Sequence, residues 1–185
     1  MNSACSFNTV WFFAFVLLLL SRPTRAHAQN NPPFGAFAFA ESLILPGTPG
    51  EIYDAITGDI SPWWDHSFSE KLYRLFIEPK PGGGFYEIFN EKGEGVLHAT
   101  VIFARRGEML RFEGPLGLSG RAVTLVCTYA FSPKGADSTR LELAVRCSGE
   151  VEEGFSGVVR NVWRDFLFER FKTYIESGEF RKRRP

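Results

Sequence analysis

The chain has 185 residues, of which 44% are apolar and 15% aromatic, with 21 basic and 21 acidic residues. This length accommodates one domain with a substantial hydrophobic core. A formal net charge of zero argues against nucleic acid as a partner, because phosphate binding needs an excess of Lys and Arg. The aromatic content excludes a disordered chain.

The N-terminus has the pattern of an export signal. Its apolar run, Val10–Leu20, has 11 residues, whereas a bilayer-spanning helix needs about 20. Ala26-His27-Ala28 then has the small-x-small form of a signal-peptidase site. We therefore expect a signal peptide over residues 1–28, cleaved between Ala28 and Gln29, and a periplasmic or secreted protein with no stable membrane insertion afterwards. The alternative is an uncleaved anchor.

The chain after that segment has few residues suited to catalysis. Residues 29–185 hold 19 basic and 21 acidic residues, a formal net charge of −2, with two histidines and two cysteines. His66, His98, Cys127 and Cys147 do not have the spacing of a zinc site. We predict no metal site, no cofactor and no catalytic constellation.

The first predicted elements are a strand and two short helices. Phe37–Leu45 alternates at period 2, which indicates a strand. Thr48-Pro49-Gly50-Glu51 combines an N-cap Thr, a Pro at the first helical position and a Glu three residues later, so a helix begins there. Ser61-Pro62 repeats the start signal and predicts a second short helix carrying Trp63 and Trp64.

Residues 72–150 have the pattern of an antiparallel β-meander. Six candidate strands are separated by Gly- and Pro-containing turns, at 72–78, 85–90, 95–105, 108–113, 121–132 and 139–149. The last two alternate apolar and polar residues, which indicates a sheet with one solvated face. In the strand 95–105, this phase points Phe103 inward and His98 to solvent.

A long helix is predicted from Phe155 to Ser177. Its apolar arc includes Trp163 and Phe166. Arg170 lies within that arc, where an unpaired guanidinium is costly to bury. Three interpretations stay open: an ion pair with Glu41 or Glu87, a bidentate contact to a ligand carboxylate, or a side chain that extends past the sheet rim to water.

The order of these elements resembles the helix-grip fold of the SRPBCC superfamily, which includes START domains and polyketide cyclases. Within it, the chain is similar to the homologues of the activator of heat-shock-protein ATPase (AHSA-like). Four segments carry the likeness: the helix Pro49–Ile56, similar to P-x-E-x-V-W-x-A-L; the pair Trp63-Trp64; Gly82-Gly83-Gly84-Phe85, similar to GG-x-F; and Gly95-Val96-Leu97, similar to G-x-V.

The resemblance implies an α+β fold in which a curved antiparallel sheet of about seven strands wraps a long C-terminal helix. The domain would cover residues 36–178, after a flexible leader at 29–35 and before a basic tail at 179–185. Such folds enclose a cavity between sheet and helix. From strand phase and helix arc, its candidate lining residues are Trp63, Trp64, Phe85, Phe103, Phe112, Tyr129, Trp163, Phe166 and Arg170.

The function that this implies is binding of a hydrophobic small molecule or lipid. The alternative for the aromatic residues is that they fill a solid core. Two other function classes stay open: a cyclase or dehydratase that uses the same cavity, and a ligand-free protein-interaction module of the chaperone-activator kind. A large exposed patch around Trp63-Trp64, with no cavity behind it, would favour the last.

Two further points stay open at this stage. His66 is expected in an exposed loop, with the alternative of an acid or base beside a pocket mouth. If Phe131 pairs with Leu141, Cys127 and Cys147 become diagonal neighbours at the limit of disulfide geometry. The sequence then allows either a disulfide or two buried thiols.

Overall fold

A computed structural model describes residues 33–182. The predicted signal peptide, its cleavage site and most of the predicted leader lie outside the described residues. No helix within 33–182 is long and apolar enough to cross a membrane.

The protein is built on one eight-stranded antiparallel sheet. The strands are β1 (Phe34–Pro46), β2 (Gly58–Asp59), β3 (Arg74–Ile77), β4 (Gly84–Ile88), β5 (Gly95–Arg105), β6 (Met109–Gly114), β7 (Val123–Pro133) and β8 (Ser138–Glu150), in the spatial order β1-β8-β7-β6-β5-β4-β3-β2. The predicted meander is confirmed, with β2 as one strand more than expected. The first strand begins at Phe34, inside the segment 29–35 assigned to a leader.

A short helix, α1 (Pro49–Ala55), follows β1. Its predicted capping box is present: the Glu51 amide donates to Thr48 Oγ1 at 3.4 Å, and the Thr48 amide donates to Glu51 Oε2 at 2.8 Å. These bonds satisfy N–H groups that the first turn leaves without partners.

The second predicted short helix is wrong. Residues 61–63 form a single turn, in which the amides of Trp63 and Trp64 both donate to the Ile60 carbonyl. The turn does not propagate, because the next side chains bond to other elements: Asp65 pairs with Arg170 on the C-terminal helix, and Ser67 bonds to Glu87 on β4. The segment 64–68 is therefore a loop tied to both.

The inner face of β5 differs from the prediction because of a β-bulge. Phe85 pairs with Ala99, but the next residue, Tyr86, pairs with Leu97, which leaves His98 without a partner in the ladder. The extra residue shifts the alternation. His98 is consequently 6% exposed and faces the interior, so the expectation that it points to solvent is wrong.

A second irregularity moves Phe103 out of the predicted interior. The register between β5 and β6 shifts between Val101 and Phe103, so Ile102 has no partner on β6. Ala104 then packs against the core, whereas Phe103 is 37% exposed. The assignment of Phe103 to the cavity wall is therefore wrong.

The C-terminal helix runs through three continuous segments: α2 (Phe155–Arg164), a π-helical segment (Asp165–Phe171) and α3 (Lys172–Glu176). In a regular α-helix Arg170, four residues after Phe166, would share its face. The wider π turn brings Phe171 to that face instead. Phe171 is fully buried, with its ring centroid 4.8 Å from that of Trp63.

A short helix, α4 (Glu179–Lys182), ends the described chain inside the segment assigned to a basic tail. Its Phe180 is buried, with its ring centroid 6.4 Å from that of Tyr174. At the other end of the C-terminal helix, Glu41 of β1 forms ion pairs with Arg160 at 3.0 Å and Arg164 at 2.8 Å. These contacts hold the helix against the sheet.

The hairpin of β7 and β8 has the register considered in the sequence analysis. Phe131 lies opposite Leu141, and Cys127 lies opposite Val145. Cys127 and Cys147 are both buried free thiols, and burial raises the pKa of each. Of the two alternatives, the structure has the thiols.

Candidate ligand pocket

A cavity of about 580 Å³ lies between the sheet and the C-terminal helix. Its walls are the loop 64–68, the inner faces of β4, β5 and β7, the α2 segment, and a 3-10 turn at Leu116–Leu118. The volume is within the range of small-molecule sites, and the predominance of apolar side chains is typical of them.

Four of the nine predicted lining residues form an aromatic wall of this pocket: Trp64, Phe85, Trp163 and Phe166. The Trp64 indole stacks on the Phe166 ring with centroids 3.9 Å apart, and it meets Phe85 edge-on at 5.2 Å. Trp163 also contacts both Trp64 and Phe166, so these rings hold one another in place.

Three predicted residues fill the core behind the pocket. Trp63, Phe112 and Tyr129 are at most 5% exposed and do not line the cavity. The Trp63 indole donates to the Ala55 carbonyl at 3.2 Å, and burial raises the pKa of the Tyr129 phenol well above its ordinary value. The alternative of simple core packing holds for these three.

Arg170 lies outside the pocket and holds its loop. The guanidinium Nε donates to Asp165 Oδ2 at 2.7 Å, and Nη1 pairs with the carboxylate of Asp65, which lines the cavity. The expected partners Glu41 and Glu87 are engaged elsewhere. Arg170 therefore makes an ion pair, but with two Asp partners, and it connects the loop 64–68 to the π-helical segment.

Glu87 of β4 is a fully buried carboxylate beside the pocket. Its Oε1 accepts hydrogen bonds from Ser67 Oγ at 2.5 Å and the Ser69 amide at 3.1 Å, and its Oε2 accepts one from the Phe68 amide at 3.1 Å. Burial raises the pKa of Glu87, but these bonds and His98 outweigh it, so the pKa lies below the usual value. The carboxylate thus stays ionised at neutral pH and fixes the loop 67–69.

His98 forms the polar part of the pocket wall. Its Nε2 lies 3.1 Å from Glu87 Oε2, and its ring centroid lies 5.7 Å from that of Phe68 and 5.0 Å from that of Phe85. An ionised carboxylate only accepts hydrogen bonds, so the imidazole Nε2 carries the proton between them. Within residues 33–182 the other ring nitrogen has no protein partner.

That second nitrogen, Nδ1, belongs to a ring that lines the pocket. In the described part of the chain, no fully buried side-chain nitrogen or oxygen lacks a hydrogen-bond partner. Nδ1 is therefore not fully enclosed by protein, and His98 is one of the residues that line the cavity. The pocket combines an aromatic wall with the imidazole of His98, one ring nitrogen of which has no partner among the described residues.

His66 is exposed in the loop 64–68, as expected, and it is also one of the residues that line the pocket. Its side chain is exposed, with Nδ1 3.1 Å from Asp65 Oδ1 and its ring centroid 4.7 Å from that of Phe166. Across the described residues, His, Cys, Asp and Glu form no group that would hold a metal ion.

The sequence analysis missed the lining residues that depend on tertiary placement. These are chiefly His98, Ser67, Phe68, the 3-10 turn and the first turns of α2. One signal in the sequence points to His98: it is a polar residue in an apolar strand, and Glu87 on the preceding strand lies two residues after Phe85, so the period-2 alternation turns that carboxylate inward as well.

An eight-stranded antiparallel sheet around a C-terminal helix, with a cavity between them, defines the helix-grip fold. No protein-family model matches the sequence, and no curated protein is significantly similar to it. Solved structures are similar. An uncharacterised Rhizobium leguminosarum protein has a TM-score of 0.58 at 12% identity and covers 80% of this chain and 99% of its own.

Two further structures agree. A Rhizobium loti protein has a TM-score of 0.55 at 17% identity, and the match covers 73% of this chain and 94% of that protein. A Staphylococcus aureus protein of unknown function has a TM-score of 0.54 at 13% identity, and the match covers 79% of this chain and 97% of that protein. A Thalictrum norcoclaurine synthase mutant, solved with a transition-state analogue, has a TM-score of 0.48 at 13% identity, and the match covers 80% of this chain and 99% of that one. That likeness is too weak to carry a functional argument. At these identities the comparisons show the fold alone.

Proposed function

We propose that the protein binds a hydrophobic small molecule or lipid in the pocket between the sheet and the C-terminal helix. The observation that carries the proposal is the open cavity of about 580 Å³ behind a wall of Trp64, Phe85, Trp163 and Phe166. Each aromatic side chain presents 150–250 Å² of surface, so a ligand against this wall buries a large apolar area.

We propose further that the protein is exported. The support is the sequence pattern of residues 1–28, which predicts a signal peptide cleaved before Gln29. The motifs at Pro49–Ile56 and Gly82–Phe85 support a place near the AHSA-like branch of the superfamily. An exported member of that branch would meet its ligand in the periplasm or outside the cell.

Native mass spectrometry of the purified protein tests both proposals. A loss of residues 1–28 from the mass of exported protein would support cleavage, and a bound mass removed by organic extraction would support binding. A clean apo mass, together with no binding to a panel of fatty acids and aromatic compounds, would refute the ligand-binding proposal.

A matched pair of variants locates any binding. Val162 lines the cavity, whereas Ile102 is exposed on the outer face of β5. We expect Val162→Trp to fill the pocket and lower affinity for every ligand at least tenfold, and Ile102→Trp to leave affinity unchanged. Equal affinities for the two variants would place the ligand elsewhere.

A second candidate function is a cyclase or dehydratase reaction in the same pocket. The observation that favours it is the presence of two histidines on the pocket wall, His98 and His66, each within 3.1 Å of a carboxylate oxygen, of Glu87 and Asp65 respectively. Conversion of an extracted ligand by wild type, but not by His98→Gln, would support this reading. The interaction-module reading has less support, because Trp63 is buried and Trp64 lines a cavity.

A further inference from the structure

We infer that His98 Nδ1 is the polar anchor of the pocket, and that it accepts a hydrogen bond from a hydroxyl group on an otherwise aromatic ligand. This inference rests on the proposed ligand-binding function and specifies its substrate class: phenol-type or hydroxyl-bearing aromatic molecules.

The first step of the argument is the orientation of the imidazole. Glu87 Oε2 lies 3.1 Å from Nε2 and also accepts from the Phe68 amide, while Oε1 accepts from Ser67 and Ser69. In all of these contacts the Glu87 carboxylate is the acceptor. In the neutral ring the proton is therefore held on Nε2, and the lone pair of Nδ1 is directed away from Glu87.

The second step is the surroundings of that lone pair. The ring centroids of Phe68 and Phe85 lie 5.7 and 5.0 Å from that of the imidazole, and most of the other side chains that line the cavity are apolar. An unpaired acceptor in apolar surroundings loses its water when a ligand arrives, so a ligand without a donor is penalised. A ligand hydroxyl restores the lost bond.

The third step excludes a competing donor from the protein. Among the described residues that line the cavity, Ser67 is the one with a hydroxyl group, and its Oγ donates to Glu87. The Nδ1 of His66 faces Asp65. Among the described residues, none donates to His98 Nδ1, which leaves that nitrogen to a molecule in the cavity.

The test compares three matched probes on the full-length protein: 2-naphthol, its isostere 2-methylnaphthalene, and 2-naphthoate. Titration calorimetry or fluorescence measures each affinity for wild type and for His98→Leu. We expect the variant to lower 2-naphthol affinity about fivefold while 2-methylnaphthalene affinity changes less than about twofold. Retained 2-methylnaphthalene binding also shows that the variant is folded.

Imidazole ¹⁵N NMR of the wild type reads the unmutated pocket directly, with His27→Asn and His66→Asn used to assign the signals of the three histidines. We expect 2-naphthol, but not 2-methylnaphthalene, to shift the unprotonated Nδ1 resonance of His98 toward its protonated position.

Two outcomes would overturn the anchor alone: equal losses for 2-naphthol and 2-methylnaphthalene in His98→Leu, or tighter wild-type binding of 2-naphthoate than of 2-naphthol, since the pocket nitrogen would then be a donor. Binding of none of the probes, or of any library ligand, would refute the ligand-binding function itself.

Discussion

The buried carboxylate of Glu87 offers the sharpest test of how the pocket is held together. We consider Glu87→Gln, which keeps the shape of the side chain and removes its charge. The carboxylate accepts from Ser67 Oγ, from the amides of Phe68 and Ser69, and from His98. A neutral amide presents one oxygen to these donors, so at least one of them faces an N–H group.

The expected magnitude follows from these bonds. Hydrogen bonds to charged groups contribute about 1.5–3 kcal/mol each. Ser67 and Phe68 lie in an exposed loop, where water replaces a lost partner, but His98 does not. We therefore expect Glu87→Gln to lower the free energy of unfolding at pH 7 by about 2–4 kcal/mol.

The pH dependence has a defined sign. The folded-state pKa of Glu87 lies below the ordinary value of 4.5, so at acidic pH the unfolded chain binds the proton more readily than the folded one. The stabilisation is fully present above about pH 4.5 and is lost as the pH falls through the lower folded-state pKa. The contribution of the Glu87 charge to the difference between wild type and Glu87→Gln should be fully present at pH 7 and shrink below about pH 4.5.

Urea unfolding at several pH values measures this, with Glu108→Gln as the control. Glu108 pairs with Arg105 on the surface, and exposed pairs contribute less than about 1 kcal/mol. If Glu87→Gln were within 0.5 kcal/mol of wild type at pH 7, on the order of an ordinary surface substitution, the bonds to the loop would contribute nothing and the reasoning would be refuted.

Three further outcomes are expected. Arg170→Gln should speed amide hydrogen exchange in residues 65–69, because the ion pair with Asp65 is lost. The free energy of unfolding should fall by less than about 1 kcal/mol, since the ion pairs with Asp65 and Asp165 are partly exposed. Unchanged exchange would contradict the role of Arg170 in holding the loop. Cys127 and Cys147 should each titrate as a free thiol in unreduced denatured protein and react slowly when folded, since burial raises both pKa values. Gly114→Ala places a Cβ 2.5 Å from the His98 carbonyl oxygen, so we expect a loss of about 1–3 kcal/mol by urea unfolding, against no change for Gly117→Ala, where nothing lies within 4 Å.

The features that sequence could predict are those determined by neighbours along the chain. The capping box at Thr48 is complete within four residues. The register of β7 and β8 follows from period-2 alternation and a short connection, because a slip by one residue would turn every buried side chain to water. Phe131 accordingly lies opposite Leu141.

The features that sequence could not predict depend on contacts between distant segments. The bulge at His98 needs room on the neighbouring strand, which Gly114 supplies by its lack of a side chain. In the sequence, however, Gly114 has the appearance of a turn residue. The turn at 61–63 likewise ends because Asp65 and Ser67 find partners on elements far along the chain.

Both main irregularities insert one residue into a regular element, and both lie on elements that wall the pocket. Regular periodicity places the guanidinium of Arg170 in the cavity and the imidazole of His98 in water. The π-helical segment takes the Arg170 guanidinium out of the cavity wall, and the β-bulge brings the His98 imidazole into it. The exchange alters the chemistry of the site: a permanent cation favours carboxylate ligands, whereas a neutral imidazole whose proton is held at a buried carboxylate presents an acceptor. Bulges and π segments are frequent at functional sites, and here they determine that His98, and not Arg170, lines the cavity.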